Sequence, residues 1–402
     1  MKSAKVVVGT GFGDEGKGHL VDYFASEFGK DCTVVRFNGG AQAGHTVVSP
    51  DGKRHIFHHF SSGTLTGAKT YLSKFFVVNP ILFRKEFDTL QKLGISPITY
   101  ADQCCLVTTP YDMIINQILE TNRGYKRYGS CGLGFNETVE RSMFPEFRID
   151  IKMLFNTSLL LDILKEIVTC YLPKRLQKLG IVDIPKFFMD VLMSPTMVEN
   201  YFDDIRFFTY NIGRVDEVLL MAEDNVIFEG AQGLLLDQDH LYFPHVTRSK
   251  TGISNVLELI KDTDIDFLDI IYITRPYATR HGAGPFPHEI NKLPRVSIVD
   301  KTNIDHEFQG SLRYGLLDLD TLYTSIIADT CKIDSVPYSI NLAINCMDQM
   351  DERIDFINGA LQSKNKEQFI NQITNKIPIN DLYIGNGETR NDIEYRSKPL
   401  RS

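Results

Sequence analysis

Two short segments near the N-terminus carry residue types and spacings suited to chemistry on phosphates. The first, Gly11-Phe12-Gly13-Asp14-Glu15-Gly16-Lys17, has the spacing G-x-x-x-x-G-K. Such a loop turns backbone N–H groups and the start of the next helix toward phosphate oxygens, and its lysine supplies positive charge. Gly13, Glu15, Gly16, Lys17 and Gly18 are therefore candidate phosphate contacts. An ordinary loop of this kind ends in a Ser or Thr whose hydroxyl holds magnesium, and here that position is Gly18. Some other oxygen must serve the ion. Asp14, inside the loop, offers either a hard ligand for Mg2+ or a base toward a second substrate. The other segment, Asn38-Gly39-Gly40-Ala41-Gln42-Ala43-Gly44-His45-Thr46, places His45 on a polar, glycine-rich turn, a poor place for a core imidazole and a good one for a catalytic group.

The same first loop also satisfies G-x-G-x-x-G, the dinucleotide fingerprint, which calls for an acidic residue at the end of the second strand to hold a ribose. The sequence there is Val35-Arg36-Phe37-Asn38, so a nicotinamide enzyme is disfavoured. A tight turn made by glycines for structure alone leaves Lys17 unexplained.

The elements that must position these loops follow from hydrophobic patterning. Lys5 to Gly9 is a β-branched run that stops at the glycine loop, and Lys17 to Phe28 sets Leu20, Val21, Tyr23 and Phe24 at helical spacing. Further runs at Cys32–Phe37, Asn225–Phe228, Ile270–Thr274 and Ser339–Ile344 also end in polar or glycine-rich loops. Five strands ending this way predict an α/β fold: a mostly parallel central sheet with flanking helices and its loops gathered at the strand C-termini. Between Ile149 and Leu220 glycine nearly vanishes and Leu159, Leu160, Leu161, Ile163, Leu164 and Ile167 share helical faces. The expectation is one domain over 1–402 containing a helical subdomain at 150–220, with a polar, mobile tail from Asn391 to Ser402.

With 402 residues, 43% of them hydrophobic, the chain can bury a large core without disulfides or metals. A net charge of −8 with both signs interspersed gives no footprint for nucleic acid or an anionic membrane. The seven cysteines lack C-x-x-C spacing and predict reduced, mostly buried thiols. No signal-peptide core or run of eighteen apolar residues occurs, which predicts a cytoplasmic protein.

Gly11 to Lys17 with Asp14, together with Gly44-His45-Thr46, resembles the signature segments of the adenylosuccinate synthetase family. Phe228-Glu229-Gly230-Ala231-Gln232-Gly233, Phe243-Pro244-His245-Val246-Thr247 and Thr279-Arg280-His281-Gly282-Ala283-Gly284-Pro285-Phe286-Pro287 extend the resemblance in order along the chain. It implies a GTP-dependent ligase that phosphorylates the 6-oxygen of IMP and couples the nucleotide to aspartate. Asp14 would take the proton from purine N1, His45 would stabilise or protonate the β–γ bridging oxygen, and Lys17 would neutralise phosphate charge. Asp14 and the Gly44 carbonyl would hold Mg2+. Thr46, Asp348 and Gly387 would join the phosphate loop in binding GTP. Gln42, Gln232, Thr247 and Cys131 would contact the nucleotide monophosphate, and Arg141 would reach the monophosphate of a neighbouring subunit across a homodimer.

The sequence also departs from that family. Where the family carries an arginine-rich loop for aspartate, this chain reads His306-Glu307-Phe308-Gln309-Gly310-Ser311-Leu312-Arg313, retaining Arg313 with Ser311 as the candidate amino-acid contacts. The base-reading segment is Asn345-Cys346-Met347-Asp348, with the carboxylate kept and the usual lysine absent. Two alternatives therefore stand beside the aspartate ligase. One is a divergent member using another amine or a dIMP or (d)GMP substrate, and the other is a nucleotide-binding regulatory protein without turnover. Retention of Asp14 disfavours a 2-amino purine, and retention of both a base and an acid disfavours a protein that only binds.

Overall fold

The computed structural model describes residues 2–124, 128–291, 298 and 310–397. Among these, ten strands form one sheet in the order Ile393–Ser397, Asp381–Gly385, Tyr338–Ile344, Ile265–Thr274, Lys2–Gly9, Asn225–Gly233, Cys32–Arg36, Lys69–Leu72, Thr99–Asp102, Gly213–Val215. Every neighbouring pair is parallel except the first, where Ile393–Ser397 runs antiparallel to Asp381–Gly385. The five strands legible in the sequence are the five adjacent central ones. The other five flank them, are 3–5 residues long and carry no long apolar run to announce them.

Burial on both faces explains the near-continuous apolar sequence of the central strands. Val6, Val8, Val35, Phe37, Phe228, Ile270 and Tyr272 pack in one core cluster. Their alternates Val7, Val34, Ile227, Ile271 and Ile273 pack in another with Leu20, Val21 and Phe24 of the helix Lys17–Ser26. A separate core joins helices from Pro80 to Tyr210. The glycine-poor stretch carries a series of helices between Thr157 and Tyr210, but it returns to the main sheet at the edge strand Gly213–Val215, inside the span read as a helical subdomain.

A smaller five-stranded sheet is built from Tyr277–Arg280, Arg313–Asp318, Arg353–Asn358 and Ala360–Asn365, with Glu289–Ile290 pairing beside Arg313–Asp318. It follows directly on the strand Ile265–Thr274, so a loop and hairpin lean over the edge where the phosphate loop emerges.

Two expectations are corrected. The tail read as mobile from Asn391 contributes the strand Ile393–Ser397, because its backbone completes the sheet edge; residues 398–402 lie outside the described residues. All seven cysteines are free, but only Cys32 and Cys105 are buried, while Cys104 and Cys331 are exposed; their strands and loops lie at positions the composition could not reveal. Among the described residues no helix is long and apolar enough to cross a membrane.

Phe228 is fully buried on a central strand. Phe228→Ala is expected to destabilise the fold by about 3–5 kcal/mol, read as a lowered urea midpoint; a midpoint equal to wild type would contradict the assigned core.

Candidate functional site

The phosphate loop leaves the C-terminal end of Lys2–Gly9, between Asn225–Gly233 and Ile265–Thr274. This is where parallel sheets place ligands. Gly13 and Gly16 have φ of 93° and 90°, and Asp14 has φ 62°, a left-handed conformation that aspartate tolerates better than most residues. The helix Lys17–Ser26 begins without a side-chain cap, leaving its first N–H groups to a ligand or solvent.

Glu15 braces the loop from inside. Its Oε1 accepts from the Gly11 and Gly13 N–H groups, both at 2.9 Å, and its Oε2 meets Lys17 Nζ at 2.9 Å. The Glu15 side chain is thus engaged within the loop, where it also holds Lys17. Phe12 is clamped at the loop's tip by Phe286 edge-on at 5.4 Å, Tyr242 stacked at 5.8 Å and the Arg280 guanidinium at 4.4 Å. Burial, with the nearby Arg313 charge adding to it, lowers the Arg280 pKa to about 10.

The missing hydroxyl at Gly18 has a steric cause. A Cβ there would stand 3.0 Å from Ser62 Oγ and 3.1 Å from both His45 Cβ and the Thr46 carbonyl oxygen. The strand His45–Val48 therefore fills the place where other phosphate loops carry Ser or Thr.

His45 is buried with its Nδ1 2.6 Å from Glu229 Oε1 and its Nε2 3.3 Å from the Ala231 carbonyl oxygen. Glu229 pairs in register with Val7 and Arg36, which puts Arg36 Nη1 3.8 Å from its carboxylate; Ser62 donates to it through both backbone N–H and hydroxyl. Burial works against the Glu229 charge, but Arg36 and His45 outweigh it and hold the pKa at about 2. Burial keeps His45 below the usual histidine range, against the pull of Glu229. Asp14 meets a different histidine, His281, whose Nε2 lies 3.3 Å from its Oδ2. Burial opposes its ionisation too, and His281, Arg275 and Lys17 together outweigh that and depress its pKa. The Lys17 charge contributes in the same direction to both shifts, lowering the pKa of Asp14 and of His45.

The remaining candidates sort by location. Gln232 lies over the phosphate loop, its Oε1 3.1 Å from where a Gly13 Cβ would be. Both amide atoms of Gln42 are buried with no hydrogen-bond partner among the described residues, the condition of a group that awaits a ligand. Its loop is tied down by His58 Nδ1, at 3.0 and 3.1 Å from the Ala41 and Ala43 carbonyl oxygens. Gly44 is exposed. Thr247 is joined by its N–H to the Leu236 carbonyl, downstream of Gln232. Cys131 sits on the segment whose Gly129 faces Gly282, and burial raises its thiol pKa to about 11. Asp348 is exposed on the turn Met347–Gln349 after Cys346, which has φ 61°. Asn345 joins that turn to the phosphate loop by donating to the Glu15 and Gly16 carbonyls. The Gly387 turn closes on the same helix through His19 and the Thr389 carbonyl, 2.7 Å apart.

Arg141 is a correction. Its side chain is fully buried, and its nitrogens bond Asp112 at 2.9 Å, the Val107 carbonyl at 2.8 Å and the Phe147 carbonyl. A guanidinium so enclosed holds helices together and cannot reach a neighbouring subunit. Arg313 is engaged as well, bidentate to Glu289 at 2.7 and 2.5 Å and bonded to the Gly282 and Gly284 carbonyls. Ser311 is exposed; His306 to Gln309 lie outside the described residues. Glu229, His281, His58 and Asn345 were missed as site residues. Glu229, His281 and Asn345 stood inside quoted motifs, and the polarity of Glu229 and His281 in apolar or glycine-rich surroundings was the available signal.

A phosphate loop and a second glycine loop at one edge of a parallel sheet define a nucleotide-phosphate-binding α/β protein. A sequence model of adenylosuccinate synthetase matches residues 6–355. Adenylosuccinate synthetase 1 of Pseudoalteromonas translucida is 32% identical over 326 residues, covering 78% of this chain and 72% of that protein. The Burkholderia mallei adenylosuccinate synthetase is 30% identical over 362 residues, covering 86% and 77%. The fully ligated adenylosuccinate synthetase of Plasmodium falciparum superposes with a TM-score of 0.74 at 21% identity, over 98% of this chain and 100% of that one. The cyanophage S-2L succinoaminodeoxyadenylate synthetase, bound to dGMP and to dATP as an energy donor, gives 0.64 at 15% identity, over 98% and 95%. Both structures share the fold. The chain belongs to the adenylosuccinate synthetase family, whose members are magnesium-using, GTP-dependent ligases that form carbon–nitrogen bonds, as the sequence resemblance implied.

Because the folded pKa of Glu229 lies below the ordinary glutamate value of roughly 4.3, its contribution to stability is complete above that pH. It is lost as pH falls toward about 2. Glu229→Gln is expected to lower stability at pH 7 and to flatten its loss between those limits. Parallel curves of urea midpoint against pH for the two proteins would refute the assigned pairing.

Proposed function

We propose that this chain couples GTP cleavage to the amination of a 6-oxopurine nucleotide, with IMP as the nucleotide and aspartate as the amine. The observation that carries this reading is Asp14, a partly exposed carboxylate on a phosphate loop, whose ionised form is favoured, against burial, by His281, Arg275 and Lys17. A carboxylate among phosphates serves chemistry or a metal; otherwise charge repulsion would disfavour it.

Asp14 removes the proton from purine N1, the 6-oxygen attacks the γ-phosphorus, and the bond to the β–γ bridging oxygen breaks to release GDP. Lys17 leaves Glu15 for the phosphates, and His45, raised in pKa by their charge, donates to the bridging oxygen. The amine then attacks carbon 6, and the C6–O bond breaks with phosphate as leaving group. The donors present suit magnesium: the Asp14 carboxylate and the exposed Gly44 carbonyl are hard oxygens, and phosphates and water complete such a shell. The ion would neutralise phosphate charge there. Asp348 accepts from the ring N–H and amino group of guanine, and Gly387 borders the same base. Gln42, Gln232 and Thr247 bind the nucleotide substrate, with Cys131 at its edge. A cytoplasmic homodimer suits the family.

The Arg313–Glu289 pair supports a second reading, in which another amine replaces aspartate: a dicarboxylate would have to displace Glu289 to use this guanidinium.

Incubation with Mg2+, GTP, IMP or dGMP, and each amino acid in turn, followed by mass measurement of the nucleotide, separates these readings. Addition of aspartate to IMP is the expected product, and Asp14→Asn is expected to abolish phosphate release without altering the melting temperature. Unchanged turnover in that variant would exclude Asp14 as the base.

A further inference from the structure

Asp14 is the reacting carboxylate of the proposed chemistry, yet the phosphate loop gives it no fixed side-chain orientation. Its terminal torsion is one of the broad, two-fold kind, so the two oxygens are interchangeable unless a neighbour singles one out. One does. His281 Nε2 stands 3.3 Å from Asp14 Oδ2, at a point where both side chains are mostly but not wholly covered. The pair therefore belongs to the wall of the site, not to the core.

His281 reaches that position from the second sheet. It follows the strand Tyr277–Arg280, which is anchored by the buried Arg280 through the carbonyls of Pro285 at 2.8 Å, His245 at 2.7 Å and Ala283 at 3.2 Å. After it comes Gly282 at φ 71°, where a Cβ would lie 2.7 Å from the Tyr128 carbonyl oxygen. The imidazole is thus set by a frame separate from the phosphate loop. The same frame grips that loop through Phe12, held by Arg280 and Phe286. Arg275 and Lys17 act on Asp14 through charge alone, whereas His281 adds to its charge a contact with one particular oxygen.

We propose that His281 is the positioning residue for Asp14: its Nε2–H donates to Oδ2 and leaves Oδ1 turned toward the purine. The role is that of an orienting partner in a catalytic pair with the usual order reversed, since here the imidazole orients the carboxylate. The proton stays on Nε2 throughout, and no bond is made or broken at His281. The contact is at the long end for a hydrogen bond, as such contacts are before substrate arrives. This inference rests on the reading of Asp14 as the base.

The test uses the full chain and the variants His281→Leu and His281→Gln, with melting temperatures recorded for each. Leucine is expected to lower kcat by about 10- to 100-fold, the scale of a misplaced reacting group, with KM for GTP and IMP within about twofold. Glutamine, whose amide N–H can take the Nε2 place, is expected to restore most of that loss. Unchanged kcat in the leucine variant, or a loss that glutamine does not restore, would overturn the assignment. Failure of the functional reading is distinguishable: a wild-type protein without turnover on any purine nucleotide removes that reading but leaves the pair to be judged by nitrogen-15 NMR. The His281 ring is expected to show the Nε2–H tautomer in wild type and to lose that preference in Asp14→Ala. Identical ring spectra in the two proteins would end the proposal.

Discussion

A buried carboxylate inside the phosphate loop sets the terms for everything around it. Glu15 takes two backbone N–H groups and the Lys17 ammonium, and it needs space to do so. A Cβ on Gly9 would lie 2.3 Å from one of its oxygens, and one on Gly233 would lie 2.7 Å from the other and 2.2 Å from the Gly11 carbonyl oxygen. Two neighbouring strand ends, those of Lys2–Gly9 and Asn225–Gly233, therefore finish in glycine partly to house a side chain. The close approach of phosphate is only one of the reasons for a bare backbone at this edge. With the carboxylate in place, the inner face of the loop is satisfied and its outer face is left for a ligand.

From that brace the site extends sideways across the sheet. Toward Cys32–Arg36, a second buried carboxylate, Glu229, gathers Arg36, His45 and Ser62. Toward Tyr338–Ile344, Asn345 ties the turn Met347–Gln349 to the loop's own carbonyls. Above, the Phe12 clamp and the His281 contact join the smaller sheet to the loop. An apolar cleft of about 580 Å3, open to solvent, lies between loop and hairpin, with Leu235, Tyr277, Phe286 and Leu322 among its lining residues. Neither Asp14 nor His45 lines it; Asp14 faces His281 and His45 faces Glu229.

Departures from ordinary phosphate loops and from the family pattern become physical once these contacts are known. Gly18 replaces a hydroxyl because the His45 strand occupies its space. Arg313 remains from an arginine-rich segment, but Glu289 and two carbonyls use its fork. Arg141 keeps its charge by burying it against Asp112, an arrangement in which removing either partner would strand the other in a low-dielectric interior. Motif matching treats an arginine as an available cation, and only its neighbours decide whether it is.

The sequence by itself determined the five central strands, the phosphate loop and the helix behind it, because these depend on local patterns: apolar runs long enough to be buried on both faces, and glycines at fixed spacing before a lysine. It also singled out Asp14, Lys17 and His45 as candidates from their polarity in glycine-rich loops, but did not show that Lys17 and His45 would be buried against Glu15 and Glu229. The short flanking strands, the terminal strand Ile393–Ser397 and the partners of each charged group were decided by tertiary structure alone. A short strand owes its stability to the neighbour it pairs with, and a side chain's charge is spent on whatever the fold brings within about 4 Å. His281 facing Asp14, Glu229 facing His45 and Glu289 facing Arg313 are separated by 267, 184 and 24 positions in the chain, and no local rule connects residues that far apart.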